Sequence, residues 1–372
     1  MKQCVIINNI PAFSKAISNI CPKNVLICTG ASSYEKSGAK KLIESLFYRE
    51  NLFFFNDFSV NPNIDDLKKG LLLFKNKDID LVAAAGGGSV IDMAKLLKIF
   101  LNSDFDIIQS IKKNNIFIKK NIPLLAIPTT AGSGSEATHF SVIYIDSIKY
   151  SVICDSLLPD YVLLLPYLSY SSDAYLASCC GADALCHALE SFWSVHSTSR
   201  SMDYSKEAIT ALWEYLPYLK KNDLNVKDKI FFAANAAGMA INTSFTTAPH
   251  AYSYGITSLL GVPHGHAVSL TLPYFFNINL NVSKDNCNDP RGEEWVRDRM
   301  NDLLKLLDCN QEEIVNKLSA FFQNLFLEKN SIIKSKITRE VKQKLASCIN
   351  LQRLNNNPVK INQNDIENII FN

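Results

Sequence analysis

The sequence has no run of eighteen apolar residues, no C-x-x-C pair, no G-x-G-x-x-G fingerprint and no strong charge of either sign. Each absence closes a class. Without a long apolar run no membrane-spanning helix is expected. The ten cysteines are scattered, so neither a zinc knuckle nor a dithiol redox motif is indicated. A net charge of +2 gives no general attraction to nucleic acid or to anionic membranes, so an anionic ligand has to be recognised by a few local residues. The first residues, Met1-Lys2-Gln3-Cys4-Val5-Ile6-Ile7-Asn8-Asn9, lack the apolar core and cleavage site of a secretory signal. The expectation is a cytoplasmic protein with reduced thiols.

What is present is length and apolar material: 372 residues, 47% of them hydrophobic, enough for about two domains. In the first part, short apolar runs (residues 4–7, 25–28, 52–55, 81–85 and 124–127) alternate with helical patterns over 13–20, 36–47, 64–74 and 90–101. Such alternation predicts a parallel sheet covered on both faces, with ligands at the carboxyl ends of its strands. Asn63 is placed to cap the third helix, with Asp65 and Asp66 in its first turn. Residues 141–145 and 150–154 predict a hairpin. From about Leu168 only helical periodicity remains, over 182–194, 201–219, 227–241, 265–276, 293–307, 312–326, 333–350 and 365–371. Pro159-Asp160 and Pro166 mark a junction between an α/β domain, 1–165, and an all-α domain, 166–372.

Two strand ends carry polar, glycine-rich loops. The strand ending at Ala85 runs into Gly86-Gly87-Gly88-Ser89 and then a helix. Glycines there let a backbone approach a bulky anion, and the helix start points its N–H groups at the same place. That suits a pyrophosphate, although a ligand-free tight turn has the same composition. The second loop, Pro128 to His139, offers the hydroxyls of Thr129, Thr130 and Ser133 to a ribose or flat ring.

Further on, Asp183 and His187 stand four apart in Gly181-Ala182-Asp183-Ala184-Leu185-Cys186-His187. On a helix this stacks a carboxylate and an imidazole on one face, as a metal site needs. A surface hydrogen-bonding pair has the same spacing. Of six histidines, His250, His264 and His266 lie in two short motifs, Thr246 to Tyr254 and Gly261 to Ala267, and His139 ends the hydroxyl-rich loop. One aspartate with three histidines suits Fe²⁺ or Zn²⁺.

Taken together, these strings resemble the iron-containing (group III) alcohol dehydrogenase family along nearly the whole chain. The resemblance rests on Gly-Gly-Gly-Ser-x-x-Asp-x-Ala-Lys at 86–95, Pro-Thr-Thr-Ala-Gly-x-Gly-Ser-Glu at 128–136 and Asp183-x-x-x-His187. It continues through His250, Pro263-His264-Gly265 and the ending Asn357-Pro358. It implies a dinucleotide-binding α/β domain, then an all-α metal-binding domain of the dehydroquinate synthase-like fold, with the active site in the cleft between them. It implies Asp183, His187, His250 and His264 as metal ligands, Fe²⁺ as the metal with Zn²⁺ also suited, and a homodimer. The implied reaction is reduction of an aldehyde to a primary alcohol, the metal acting as Lewis acid and NADPH or NADH supplying hydride. Implied cofactor contacts are Gly30, Ser32, Ser33, Gly86, Gly87, Gly88, Ser89, Thr129, Thr130, Ser133 and the hairpin's Lys149.

Departures from the family pattern refine this. NAD-preferring members place an Asp where Gly30 stands, and Ser32, Ser33 and Lys36 follow here, so NADPH is expected to be accepted. Tyr254 stands where many members have a second histidine. The strings around His139, His250 and His264-Gly265-His266 look most like the phosphonoacetaldehyde reductase branch, which makes 2-hydroxyethylphosphonate in phosphonate biosynthesis. Substrate-side candidates are His139, Tyr254 and Arg200, the last also readable as a plain surface charge. The alternatives are a reductase of short neutral aldehydes such as butanal or lactaldehyde, and a non-catalytic nucleotide- or metal-binding protein.

Overall fold

Apolar runs too short for helices and too continuous for a half-exposed strand are what a parallel sheet needs, because both its faces are buried. A computed structural model of the chain describes residues 4–47, 51–103, 105–118, 120–146 and 148–335, then 338, 341, 344–345, 348–349, 351–362 and 365, with backbone alone over 326–335 and 351–352. The chain divides into two compact units, Met1–Ser172 and Asp173–Asn372.

In the first unit the elements run β1 (Val5–Ile7), α1 (Ile10–Ser18), β2 (Asn24–Thr29), α2 (Ser33–Lys36), α3 (Ala39–Leu46), β3 (Asn51–Phe55), α4 (Ile64–Phe74), β4 (Leu81–Gly86), α5 (Gly88–Phe100), α6 (Ile107–Lys113), β5 (Leu124–Pro128), β6 (Phe140–Ile145), β7 (Ile148–Ile153) and β8 (Tyr161–Leu163). Six of the strands form one sheet in the order β1-β8-β5-β4-β2-β3, every pairing parallel. All residues of β4 and β5 are buried. The chain leaves β2 toward β3 on one side, then passes from β4 to β5 on the other. The carboxyl ends of neighbouring β2 and β4 are therefore a topological switch point, where ligands of such sheets bind.

Three details depart from the sequence reading. The expected helix 36–47 is split by Gly38, whose φ of 83° breaks the helical path, into α2 and α3. The apolar run between Pro159 and Pro166, read as a junction, contains β8, which sits between β1 and β5; three residues flanked by prolines left too little pattern to see. α6 also escaped notice, being one of the shorter helices. The hairpin closes more tightly than expected, pairing Ile145 with Ile148.

The second unit is helical: α7 (Ala174–Trp193), α8 (Ser199–Tyr215), α9 (Leu224–Ser244), α10 (Ala248–Leu260), α11 (His264–Leu280), α12 (Glu293–Leu306), α13 (Ile314–Ser335) and α14 (Leu351–Leu354). α7 starts a full two turns before the expected 182, because Asp173 caps it by accepting from the backbone N–H groups of Tyr175 and Leu176 at 3.1 and 3.0 Å. α10 lies outside the periodic segments. Most of the helices expected over 333–350 and 365–371 lie outside the described residues. None of the ten cysteines is in a disulfide, and among the described residues no helix is long and apolar enough to cross a membrane.

Asn63 caps α4 as expected, its side chain accepting from the Asp66 N–H at 2.9 Å. Its amide also donates to the Asp66 carboxylate at 2.8 Å. Asn63→Ala should destabilise the first unit by about 1 kcal/mol. Urea unfolding followed by circular dichroism checks this, and an unchanged midpoint would contradict the capping role.

Candidate functional site

Two of the sequence-predicted loops meet in the first unit. Because β4 and β5 pair with Gly86 opposite Pro128, the loops that follow them emerge side by side. The Thr129 N–H donates to the Gly86 carbonyl at 3.1 Å. A Cβ added at Gly87 would come 3.1 Å from Thr130 Oγ1, and one at Gly88 would come 2.6 Å from Ser133 Oγ. At Gly86 it would strike Val90, in the first turn of α5, at 2.5 Å. The glycines thus let the two loops and the first turn of α5 pack against one another where any side chain would clash. The Thr129 hydroxyl is buried there without a hydrogen-bond partner among the described residues. A glycine loop leading into a helix start is the arrangement that suits a nucleotide pyrophosphate.

Gly30 follows β2, the strand next to β4. The Ser33 hydroxyl folds over it so closely that a Cβ would come within 2.2 Å. Ser32 and Ser33 are exposed around the start of α2. Ser89 accepts through its hydroxyl from the Asn61 N–H at 3.1 Å, and Lys149 lies on β7 opposite Tyr144.

Two residues quoted in the motif, but given no role from sequence, hold this arrangement together. Asp92 and Lys95 lie one turn apart on α5. The Lys95 ammonium, fully buried, donates to the carbonyls of Ser135, Thr138 and Phe140 at 2.6, 2.8 and 2.8 Å and contacts the Thr138 hydroxyl at 3.0 Å. The Asp92 carboxylate accepts from the Ser135 hydroxyl at 2.6 Å and the Val142 N–H at 3.2 Å. Burial pulls Lys95 down to about 8 against the pull of Asp92 and Glu136. Buried charges of opposite sign, satisfied by backbone, pin the hydroxyl loop and the hairpin to α5. His139, just beyond the pinned loop, meets the edge of the Phe140 ring at 6.0 Å.

The helical unit holds the second cluster. Asp183 and His187 face the same way from successive turns of α7, and His250 comes from the first turn of α10. Their donor atoms lie within 4.8 Å of one another. Asp183 Oδ1 is the hub, 3.4 Å from His250 Nε2 and 3.9 Å from the Nε2 atoms of both His187 and His264. The His187 and His250 rings stack at 4.6 Å, and the His264 ring stands edge-on to His250 at 5.2 Å. Asp183, His187 and His250 are buried, whereas the His264 side chain is 30% exposed, so the cluster is open on that side.

Gly265 explains how His264 gets there. A Cβ on it would lie 2.0 Å from the Cys179 carbonyl oxygen and 2.7 Å from Asp183 Cβ. Only glycine lets the start of α11 press against α7, and that approach carries His264 to Asp183.

Electrostatics match a cation-binding role. Burial raises the Asp183 carboxyl, but His187, His264 and His250 outweigh it and hold the group well below the usual carboxylate range. Burial disfavours a charged His250, yet Glu190 and Asp183 push it up to about 9. Asp183 Oδ1 and His250 Nε2 are close but misaligned; both are buried with no hydrogen bond among the described residues. Buried polar atoms left this way require an explanation. A divalent ion received by one carboxylate and three imidazoles supplies it, and the donor set suits Fe²⁺ or Zn²⁺.

Glu190 is the functional residue that sequence reasoning passed over. It is fully buried, its carboxylate accepting from His250 Nδ1 through one oxygen. The other oxygen accepts from the Thr247 N–H at 2.7 Å and the Thr247 hydroxyl at 3.0 Å. Trp193 Nε1 donates to that hydroxyl at 2.9 Å. This fixes the tautomer of His250, leaving Nε2 toward Asp183. The signal was available: Asp183, His187 and Glu190 fall at i, i+4 and i+7 on one helical face.

The other candidates separate. Tyr254, one turn beyond His250, stacks its ring on His264 at 5.7 Å and 21°. Burial pushes its hydroxyl up, and the Arg353 guanidinium acts in the opposite direction. Arg200 is exposed at the start of α8 and donates to the Tyr204 hydroxyl at 3.3 Å. It forms a local helix-surface pair and is not part of the cluster. His266 is fully buried, with Nδ1 at 2.8 Å from the Tyr175 hydroxyl.

With a glycine loop at the strand ends of one unit and an Asp-His₃ cluster in the other, the comparisons with known proteins have a definite meaning. Residues 6–166 match the family model for iron-containing alcohol dehydrogenase, and residues 178–372 match the C-terminal model of the same family. The chain belongs to the iron-containing alcohol dehydrogenase family. It is 26% identical to an alcohol dehydrogenase of Thermococcus barophilus over 82% of this chain and 85% of that one. It is 30% identical to the aldehyde-alcohol dehydrogenase of Streptococcus pneumoniae, over 69% of this chain but only 31% of that longer protein. The crystal structure of an iron-containing alcohol dehydrogenase from Thermotoga maritima superimposes with a TM-score of 0.84 at 25% identity, covering 99% of this chain and 97% of that one. Members of the family typically bind iron and NAD(P), and the chain is an oxidoreductase of this alcohol dehydrogenase type.

Replacing Glu190 with Gln should lower affinity for a divalent ion by roughly 10- to 100-fold with the fold intact. Competition with a fluorescent chelator measures it, and unchanged affinity would rule out the orienting role.

Proposed function

We propose that the protein reduces an anionic short-chain aldehyde, phosphonoacetaldehyde, to the primary alcohol 2-hydroxyethylphosphonate. The observation that carries the dehydrogenase chemistry is the position of Asp183 Oδ1, within 3.4 to 3.9 Å of three imidazoles and buried without a hydrogen bond among the described residues. In this reading Asp183, His187, His250 and His264 hold an Fe²⁺ or Zn²⁺ ion, which supplies Lewis-acid polarisation of a carbonyl, while a bound nicotinamide supplies hydride.

The chain's own residues prepare the rest. Glu190 holds His250 in one tautomer, and Gly265 sets His264 against Asp183. The partly exposed side of the cluster, at His264, is where a substrate oxygen has access, and the Tyr254 ring borders it. His139, at the end of the hydroxyl-rich loop, is proposed as a substrate contact on the strength of the motif around it. Gly86, Gly87, Gly88 and Ser89, with Thr129, Thr130 and Ser133, hold the nucleotide phosphates and ribose, and Lys149 adds a positive charge.

Cofactor choice follows from Gly30. A carboxylate at this position would accept from a ribose hydroxyl and repel a 2′-phosphate; here Ser33 Oγ fills the space a Cβ would need. With Ser32, Ser33 and Lys36 nearby in sequence, NADPH is accepted alongside or ahead of NADH. The phosphonate assignment is supported by the motifs around His139, His250 and His264.

The test is oxidation of NADPH and NADH by metal-loaded protein with phosphonoacetaldehyde and butanal in parallel. The expected result is a higher kcat/KM for phosphonoacetaldehyde, measurable turnover with NADPH, and a loss of more than about 100-fold in His264→Ala. Preference for butanal would replace the substrate, strict NADH dependence would refute the cofactor argument, and no aldehyde reduction at all would refute the enzyme.

A further inference from the structure

His250 reaches the Asp183 cluster from the first turn of α10, so whatever fixes the start of that helix fixes a candidate metal ligand. α9 ends at Ser244 and α10 begins at Ala248, which leaves three residues, Phe245, Thr246 and Thr247, to turn the chain. Phe245 makes the turn with φ 59° and ψ 174°, a combination that essentially only glycine adopts without cost. Among the described residues eight other than glycine have a positive φ, and six of these are Asn or Asp, whose short polar side chains tolerate it. Cys21 is the seventh, and Phe245 is the one with a bulky ring. Such a conformation persists only where the surroundings over-determine it.

Here they do so from several sides. The Ser244 carbonyl accepts from the Ser194 hydroxyl at 2.6 Å, and the Ser244 hydroxyl donates to that of Ser191 at 2.7 Å. The Phe245 N–H closes the last turn of α9 on the Ile241 carbonyl at 3.0 Å. Beyond it, the Thr246 carbonyl accepts from the Asn356 amide at 2.9 Å. The Phe245 ring itself is clamped. The buried Arg353 guanidinium lies over it, with Cζ 5.1 Å from the ring centre, a cation–π contact. The His196 ring stands edge-on to it at 6.0 Å. A glycine at this position would relieve the backbone but give up both ring contacts.

What the turn delivers is Thr247. Its N–H and hydroxyl donate to one oxygen of the Glu190 carboxylate at 2.7 and 3.0 Å, and the other oxygen accepts from His250 Nδ1. The Thr247 carbonyl then accepts from the Ala251 N–H at 3.1 Å, closing the first turn of α10. Rotation of the backbone at Phe245 would swing Thr247 off Glu190 and change the angle at which α10 presents His250.

We propose that Phe245 is a positioning residue of the candidate metal centre. Its clamped ring holds the backbone in a conformation that brings Thr247 to Glu190 and so His250 Nε2 to Asp183. Without the ring the chain relaxes toward negative φ, and the Glu190–His250 hydrogen bond loses the partner that orients its carboxylate. The assignment rests on the metal reading above and names what sets the place of one ligand.

Two readouts test it, neither of which needs turnover. The first is Zn²⁺ affinity, by competition with a fluorescent chelator. The second is the proton resonance of His250 Nδ1–H, which a charge-assisted bond to Glu190 should carry downfield and which Glu190→Gln should abolish. Phe245→Gly, with its helical circular dichroism retained, should bind Zn²⁺ roughly 10-fold more weakly or worse and lose that resonance. Phe245→Tyr, which keeps a ring in the clamp, should match wild type in both. If Phe245→Gly fails to fold, Phe245→Leu, bulky but without an aromatic ring, must show the same two losses. Wild-type affinity and resonance in the Gly or Leu variant, or an equal loss in Phe245→Tyr, would overturn the assignment. If wild type binds no Zn²⁺, the metal reading falls, and the resonance of the metal-free proteins still decides whether Phe245 positions His250.

Discussion

One carboxylate oxygen shared by three imidazoles is the constraint on which the helical unit depends. Asp183 Oδ1 cannot be buried among His187, His250 and His264 unless a positive charge, from protons or from a metal ion, offsets it. The sequence around it serves that demand. Gly265 lets α11 reach α7, Glu190 fixes one ring, and Thr247 and Trp193 fix Glu190. Each layer is buried and hydrogen-bonded by the next, so the cluster is preorganised by the packing of α7, α10 and α11. Second-layer partners of this sort commonly decide how tightly a metal is held.

The first unit solves a different problem with the same economy of charge. Its glycines let the loops after β4 and β5 pack against each other, and those loops have to be held in place. Asp92 and Lys95 achieve this from beneath, tying backbone carbonyls and an N–H of the neighbouring loop and hairpin to α5. The Gly-Gly-Gly-Ser-x-x-Asp-x-Ala-Lys motif thus combines two tasks. Glycine provides the approach, and the charged pair one turn into the helix provides rigidity.

What could be read from the chain alone follows the strength of the local signal. β4 and β5 declared themselves because every residue in them is buried and apolar, and the cap at Asn63 because its acceptor chemistry is local. β8 did not, because three residues between prolines give no period to recognise; its place in the sheet depends on non-local pairing with β1 and β5. The Asp183–His187 pair was visible as a spacing, but whether it was a surface contact depended on residues sixty or more positions away. Glu190 lay in plain view on the same face and was missed because a buried carboxylate acting through His250 is defined by what it touches. Arg200 had the opposite fate, chemically apt in sequence but exposed beside Tyr204 in the structure.

The most direct test of the central claim is X-ray absorption at the iron edge of protein loaded anaerobically with one equivalent of Fe²⁺, comparing wild type with Asp183→Ala. The account predicts one bound iron per chain, coordinated by nitrogen and oxygen only, with the multiple-scattering signature of imidazole rings, and loss of that site in the variant. Sulfur coordination, an iron lacking imidazole scattering, or an unchanged site without Asp183 would contradict it.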